Sequence, residues 1–268
     1  MKRRSQRSRP LFWNRRGEGR SEEIVHIEHH TWWSNRLGQN MSVNVYGHAG
    51  KPVLVFPCQG GTHREYEDFG MVEAISGFIG AGRIKLFTVD SVDDQSWNNR
   101  RLHPAQRVAR HKEYESYINE EVLPLIYYHH QAEEKLMVTG CSMGGYHAAN
   151  YFFRRPDLSD IMISISGLFQ LDYFIGDYMD DQIYFHTPLA YLPGLNDPWY
   201  IDQYRRSRII VGVGQGEWEE PMAVDAVKLQ KILDEKGVPA WIDLWGHDVN
   251  HDWPWWRRMM PYFLGTIF

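Results

Sequence analysis

Cysteine is scarce in this chain. Only Cys58 and Cys141 occur among 268 residues, too few for a disulfide scaffold or a cysteine-based zinc site, and a fit to a reducing compartment. Nowhere do about 18 consecutive apolar residues occur, the length a membrane span needs, and the N-terminal stretch lacks the apolar segment of about 7–15 residues that a secretory signal carries. The expectation is a cytoplasmic protein with no membrane span. Gly/Ser-rich linkers, internal repeats and low-complexity tracts are also missing, which argues for one folded domain. Neither a Gly-x-Gly-x-x-Gly fingerprint nor a P-loop lysine is present, which counts against nucleotide binding.

Charge is unevenly placed. Residues 1–20 hold eight Lys/Arg and one Glu, a surplus of seven positive charges, which leaves the rest of the chain near −12 against a total of −5. Residues 1–22 therefore read as a solvated basic arm with no chemistry assigned to it, and 23–268 as the domain. No nucleic-acid partner is expected.

Within the domain, short apolar or β-branched runs alternate with amphipathic stretches, the pattern of an α/β protein with a mostly parallel sheet. Residues 23–30 and 42–48 alternate and lie close together, so they predict an antiparallel start. Runs at 52–57, 84–90, 135–140, 161–166, 208–214 and 240–246 bring the strands to eight. Tyr114, Tyr117, Ile118, Val122 and Leu125 share one helical face, as do Met222, Ala226, Leu229, Ile232 and Leu233. Pro124 is expected to kink or shorten the earlier helix near its end. Pro221 and Gly237 suit the first turn and the end of the later one.

The chemistry concentrates at "GCSMGG", residues 140–145. Gly-x-Ser-x-Gly is a weak pattern alone, but here a strand directly precedes it and a helix directly follows, the context of a nucleophile elbow. Gly140 and Gly144 would let strand and helix pass closely, and the turn would expose the Ser142 hydroxyl at a helix N-terminus, with the Met143 N–H facing a developing oxyanion. A serine nucleophile needs a base, and the base needs a third group to orient it. In hydrolases with this elbow the chain order is Ser, acid, His. Residues 215–221, "QGEWEEP", offer Glu219 as acid with Glu217 as the competitor. Residues 247–256, "HDVNHDWPWW", offer His251 as base with His247 as the alternative. His247 and His251 also stand at i, i+4, but in a loop with no third ligand evident, so no metal is expected. The second oxyanion donor should come from the loop after the third strand, from Gln59 or Gly60.

In "GCSMGGYHA", "GEW" followed by an acid, and "NHDWPWW", the chain resembles the esterase family of α/β hydrolases that includes esterase D-like S-formylglutathione hydrolases, feruloyl esterases and mycolyltransferase relatives. The resemblance covers roughly residues 24–265. It implies the α/β-hydrolase fold, an eight-stranded mostly parallel sheet with helices on both faces, and it carries Ser142 as nucleophile, His251 as base and Glu219 as acid. Two departures stand out. Many members have His-Gly where this chain reads Pro57-Cys58-Gln59-Gly60, and many have Asp where only Glu is available here. The fold's usual strand order would also set Cys58 and Cys141 side by side near the serine.

The function expected is hydrolysis of a small-molecule carboxylic ester through an acyl-enzyme on Ser142, with no cofactor. Acyl transfer from the same acyl-serine, and a non-catalytic interaction protein on the same scaffold, are the alternatives; homo-oligomerisation stays open. Residues 168–205, rich in Phe, Tyr and Trp, are expected to form a small cap segment, either lining an aromatic or acyl pocket or packing as helices.

Overall fold

A computed structural model describes residues 26–268; the basic arm at 1–22 lies outside the described residues. The eight strands form one sheet. They are β1 (Ile27–Ser34), β2 (Gln39–Tyr46), β3 (Lys51–Phe56), β4 (Ile84–Val89), β5 (Leu136–Cys141), β6 (Ser159–Ile165), β7 (Arg208–Val213) and β8 (Trp241–Leu244). Their spatial order is β1-β2-β4-β3-β5-β6-β7-β8. β1 with β2, and β2 with β4, run antiparallel, and every other pair is parallel. The central strands β3–β6 are almost wholly buried and mostly apolar, as a sheet covered on both sides requires.

Six longer helices do the covering: α1 (Pro104–Tyr117), α2 (Leu123–His130), α3 (Met143–Arg154), α4 (Pro198–Arg205), α5 (Glu220–Glu235) and α6 (Trp253–Leu264). One core joins the inner sides of α1, α2, α3 and α5 to Leu54, Phe87, Val138 and Val211. The other packs Trp256, Met259, Met260 and Phe263 of α6 on the opposite sheet face, against Val53, Met137, Ile163 and Ile210. Alternate residues of one strand thus serve different cores, the consequence of the two-residue repeat of a β-strand.

The first hairpin sits later than the alternation suggests at one end and earlier at the other. β1 continues through Trp32 and Trp33 to Ser34, and β2 begins at Gln39, because the turn between them closes at Gly38, which adopts φ +66° and donates its N–H to Ser34 O. β8 spans only Trp241–Leu244 before the chain leaves the sheet. Pro124 does not shorten its helix. A π-type turn over Ile118–Val122 joins α1 to α2 and the helical path runs on to His130; Pro124 lies just past that turn, a local change of helix geometry of the kind that accompanies a proline within a helix.

Residues 168–205 form short helical pieces ending in α4. Their aromatics divide. Phe169, Phe174, Tyr191 and Tyr204 are buried, whereas Tyr173, Phe185 and Trp199 are exposed. Leu171, Phe174, Ile175 and Ile183 from this segment pack with Met143 of the elbow, so it reaches the residue beside the serine. Among the described residues no helix is long and apolar enough to cross a membrane.

Candidate active site

The tight crossing of β5 and α3 shapes the site. A Cβ on Gly140 would lie 2.4 Å from the Gly144 carbonyl carbon, and one on Gly144 would lie 2.3 Å from Phe56 O. Both distances are prohibitive, so these two positions demand glycine for space. Between them Ser142 adopts φ +56°, ψ −123°, a sparsely populated conformation costing on the order of 1–3 kcal/mol. It is held there from both sides: its N–H donates to Ile165 O (2.9 Å) and its carbonyl accepts from Gly145 N (2.9 Å). The strain turns the side chain away from the helix that follows. As the first residue of α3, Met143 has an N–H with no intrahelical acceptor.

Ser142 Oγ lies 2.8 Å from His251 Nε2, 109 residues away in sequence. His251 stands in the loop between β8 and α6 and its ring packs edge-on against Trp256 (4.9 Å between centroids). Its Nδ1 faces Glu219 Oε1 at 3.5 Å, and the Glu219 side chain is fully buried while that of His251 is 16% exposed. The imidazole therefore stands between the serine and the carboxylate.

The carboxylate's direction comes from the loop after β7. Trp218 takes φ +69° and points into solvent, a left-handed step that turns the next residue, Glu219, inward. Ser166 at the end of β6 donates its Oγ–H to Glu219 Oε1 (2.6 Å) and in turn accepts from Trp256 Nε1–H (3.0 Å). Neither Ser166 nor Trp256 was singled out in the sequence. Ser166 ends the 161–166 strand run and Trp256 closes the "HDWPWW" stretch, but neither pattern indicates which carboxylate they serve.

The loops after β7 and β8 are zipped together. Gly216 N–H donates to Val249 O (2.9 Å), Glu217 N–H to Asn250 Oδ1 (2.8 Å), and His251 N–H to Glu217 O (3.0 Å). Glu217 thus contributes its backbone to the site while its side chain is exposed. His247 is exposed as well, its Nδ1 3.4 Å from Gln215 O. Of the two candidate acids and two candidate bases, the structure brings only Glu219 and His251 to the serine.

The loop after β3 closes the other side. Cys58 N–H donates to Glu65 Oε2 (2.6 Å), Gly61 N–H to Cys58 O (2.9 Å), and Gly60 N–H to Asp93 Oδ2 (3.3 Å). The Gly60 N–H is therefore already engaged, whereas Gln59 is exposed at the rim. A cleft of about 280 Å³ opens beside this loop, bounded by Gly60, Gly61, Thr62, Asn40, Asp90 and Gln95 among others.

Cys58 and Cys141 are free thiols. β3 and β5 are neighbours, and burial pushes both thiols well above their ordinary range, with each close enough for Glu65, and for Cys58 also Cys141, to add to the effect. Such thiols are poor nucleophiles and slow to oxidise. Tyr66 Oη sits 3.8 Å from Cys141 Sγ, so Cys141 packs beneath the elbow as a buried apolar neighbour.

A parallel sheet of this order, with a serine on a strained strand-to-helix turn and a histidine and an acid on later loops, defines an α/β hydrolase of the serine type. The comparisons agree. Residues 34–267 match the model of a family described as "Putative esterase", and the chain belongs to that esterase family, whose members are carboxylic ester hydrolases. No curated protein matches it. Among solved structures it is similar to a ferulic acid esterase (16% identity, TM-score 0.71, covering 91% of this chain and 99% of that one). It is also similar to an S-formylglutathione hydrolase from Agrobacterium tumefaciens (15% identity, TM-score 0.67, 90% and 94%) and to Mycobacterium tuberculosis MPT51 (FbpC1) (13% identity, TM-score 0.66, 87% and 94%). At these identities the likeness is one of fold.

Proposed function

We propose that this esterase cleaves small carboxylic esters through an acyl-enzyme on Ser142, with His251 as general base and Glu219 as the carboxylate that orients it. The 2.8 Å contact between His251 Nε2 and Ser142 Oγ, backed by a buried carboxylate at 3.5 Å, carries this reading. With Nδ1–H turned toward Glu219, Nε2 is left with its lone pair toward the serine hydroxyl. As Oγ attacks the ester carbonyl carbon, its proton passes to Nε2 and the carbonyl electrons move onto oxygen. That oxyanion takes hydrogen bonds from the N–H groups of Met143 and Gln59, each such donor worth about 3–4 kcal/mol in the transition state.

The imidazolium then protonates the departing alkoxide and the alcohol leaves. Water enters and gives a proton to Nε2 as its oxygen attacks the acyl carbon; the intermediate then collapses, Nε2 returns the proton to the departing Ser142 Oγ, and the carboxylic acid is released. Positive charge on His251 draws Nδ1–H toward Glu219, so a 3.5 Å separation at rest suits a contact that tightens as the reaction proceeds. Ser166 and Trp256 hold the carboxylate in place for it. No step calls for a cofactor. The apolar cluster formed by Leu171, Phe174, Ile175 and Ile183 against Met143 favours an acyl or alcohol group with an apolar portion on that side.

A fluorophosphonate probe tests the reading. Wild-type protein is expected to be labelled at a single residue, Ser142, and Ser142→Ala to remain unlabelled. Equal labelling of the variant would sink it.

A further inference from the structure

The inner face of the edge strand β1 is unlike the rest of the sheet. Its register places Glu28 opposite Val45, which lies opposite Phe87, and His30 opposite Val43, which lies opposite Val89. On β2 and β4 this face is apolar and buried beneath α1 and α2. On β1 it carries Trp32 and then, at two-residue steps, His30 and Glu28, with His26 directly before the strand. The alternation of a strand sets His30 and Glu28 on one side. α2 ends over them and supplies His129, whose ring stands edge-on to both His30 (4.9 Å) and Phe87 (6.2 Å).

The distances among these groups are distinctive. His26 Nδ1 lies 3.6 Å from Glu28 Oε1, His30 Nε2 lies 3.6 Å from Glu28 Oε2, and His129 Nδ1 lies 3.8 Å from Glu28 Oε1. Each is long for a hydrogen bond. A tetrahedral zinc ion, bound at about 2.0–2.1 Å, separates its ligand atoms by roughly 3.3 Å. Ligand atoms of Glu28, His30 and His129 all fall within 4.8 Å of one another. Lys85, the nearby cation, is turned to the carbonyl of His129 (3.2 Å). A second such grouping, His111, Glu115 and His186, is already compensated: Glu115 accepts from Arg154 and from Asn150 as well as from His186.

We propose that Glu28, His30 and His129 bind one divalent transition-metal ion of the zinc class, clipping the edge strand β1 to the end of α2, with His26, 3.6 Å from Glu28 but outside that grouping of three, swinging in as a fourth ligand. Three imidazoles and one carboxylate form a donor set that suits zinc and cobalt(II) and disfavours magnesium and calcium. None of these residues contacts Ser142, His251 or Glu219, so the site is structural and independent of the ester chemistry.

The test is calorimetric titration of chelator-treated, full-length protein with Zn²⁺, alongside the absorption spectrum with Co²⁺. One saturable site per chain and the intense visible bands of tetrahedral cobalt are expected, together with a rise in thermal midpoint on adding one equivalent of zinc. In Glu28→Gln and in His129→Phe, zinc affinity should drop by at least the roughly 10–100-fold that loss of even an outer partner brings. Their metal-free thermal midpoints and circular dichroism should match those of the metal-free wild type, showing that folding is intact. The absence of a saturable one-to-one site, or zinc binding undiminished in a folded His30→Ala/His129→Phe double variant, would overturn the proposal.

Discussion

Two histidine–carboxylate pairs flank Ser142, and the tighter one is not the pair that reaches the hydroxyl. His147 Nε2 lies 2.9 Å from Asp93 Oδ1, both side chains almost wholly buried, whereas His251 and Glu219 are 3.5 Å apart. His147 is five residues past the serine on α3, its ring packed on His111 (5.4 Å) and Phe56 (5.8 Å). A helix turning about 100° per residue carries it to the far side of the elbow, where it can lock Asp93 but cannot take a proton from Ser142. His251 stands on a loop, 16% exposed, with one nitrogen at the serine and the other at a carboxylate. A short histidine–carboxylate contact therefore does not identify a base; what does is a ring nitrogen directed at the reacting hydroxyl and room for the imidazole to gain charge.

The comparison can be broken most severely at His251. His251→Ala should lower kcat for a p-nitrophenyl ester by about 10⁴–10⁶-fold, and Glu219→Gln, which loses the orienting charge while keeping the shape, by about 10⁴-fold. If His147→Ala proved as damaging as His251→Ala in a folded protein, the assignment of the base would be reversed.

A middle-sized effect is expected at Asp93. Its Oδ2 holds the Gly60 N–H and its Oδ1 holds His147 on the elbow helix, so this one carboxylate ties the loop after β3 to α3. Asp93→Asn should cost about 10-fold in kcat with KM little changed, less than the 10²–10³-fold that removal of an oxyanion donor itself brings. A steady-state comparison of kcat and KM checks it. An unchanged kcat would show that the loop keeps its position without Asp93.

The smallest effects belong to the residues that compete with the triad in sequence but not in space. Glu217→Gln and His247→Asn should each leave kcat/KM within about twofold, since both side chains face solvent and Glu217 serves through its backbone. A loss beyond tenfold in either would reopen the choice of acid or base.

Much of the fold was legible along the chain because its signals are local. Alternating and continuous apolar runs marked all eight strands, and Gly140 and Gly144 marked the crossing of β5 and α3, where a side chain would strike backbone within 2.6 Å. Boundaries were less legible. The extension of β1 through Trp32 and Trp33 depends on the left-handed turn at Gly38, and the path past Pro124 on a π-type turn, and neither leaves a periodic mark. Ser166 was invisible for a different reason. It is one serine among several at strand ends, and it acquires a role only because Glu219 and Trp256 meet it from 53 and 90 residues away.

The amino-acid sequence alone determined the class of chemistry: a serine between glycines at a strand-to-helix turn, with acids and histidines downstream in the order such a hydrolase needs. It also narrowed each partner to two candidates. Among those candidates it preferred Glu219 and His251, and only the tertiary structure shows that these two are brought together with Ser142 while Glu217 and His247 face solvent. Loop side chains have no fixed period, so the direction each one points is set by contacts from elsewhere: the left-handed step at Trp218, the hydrogen bonds that zip the two loops together, and the Ser166 hydroxyl that receives the carboxylate.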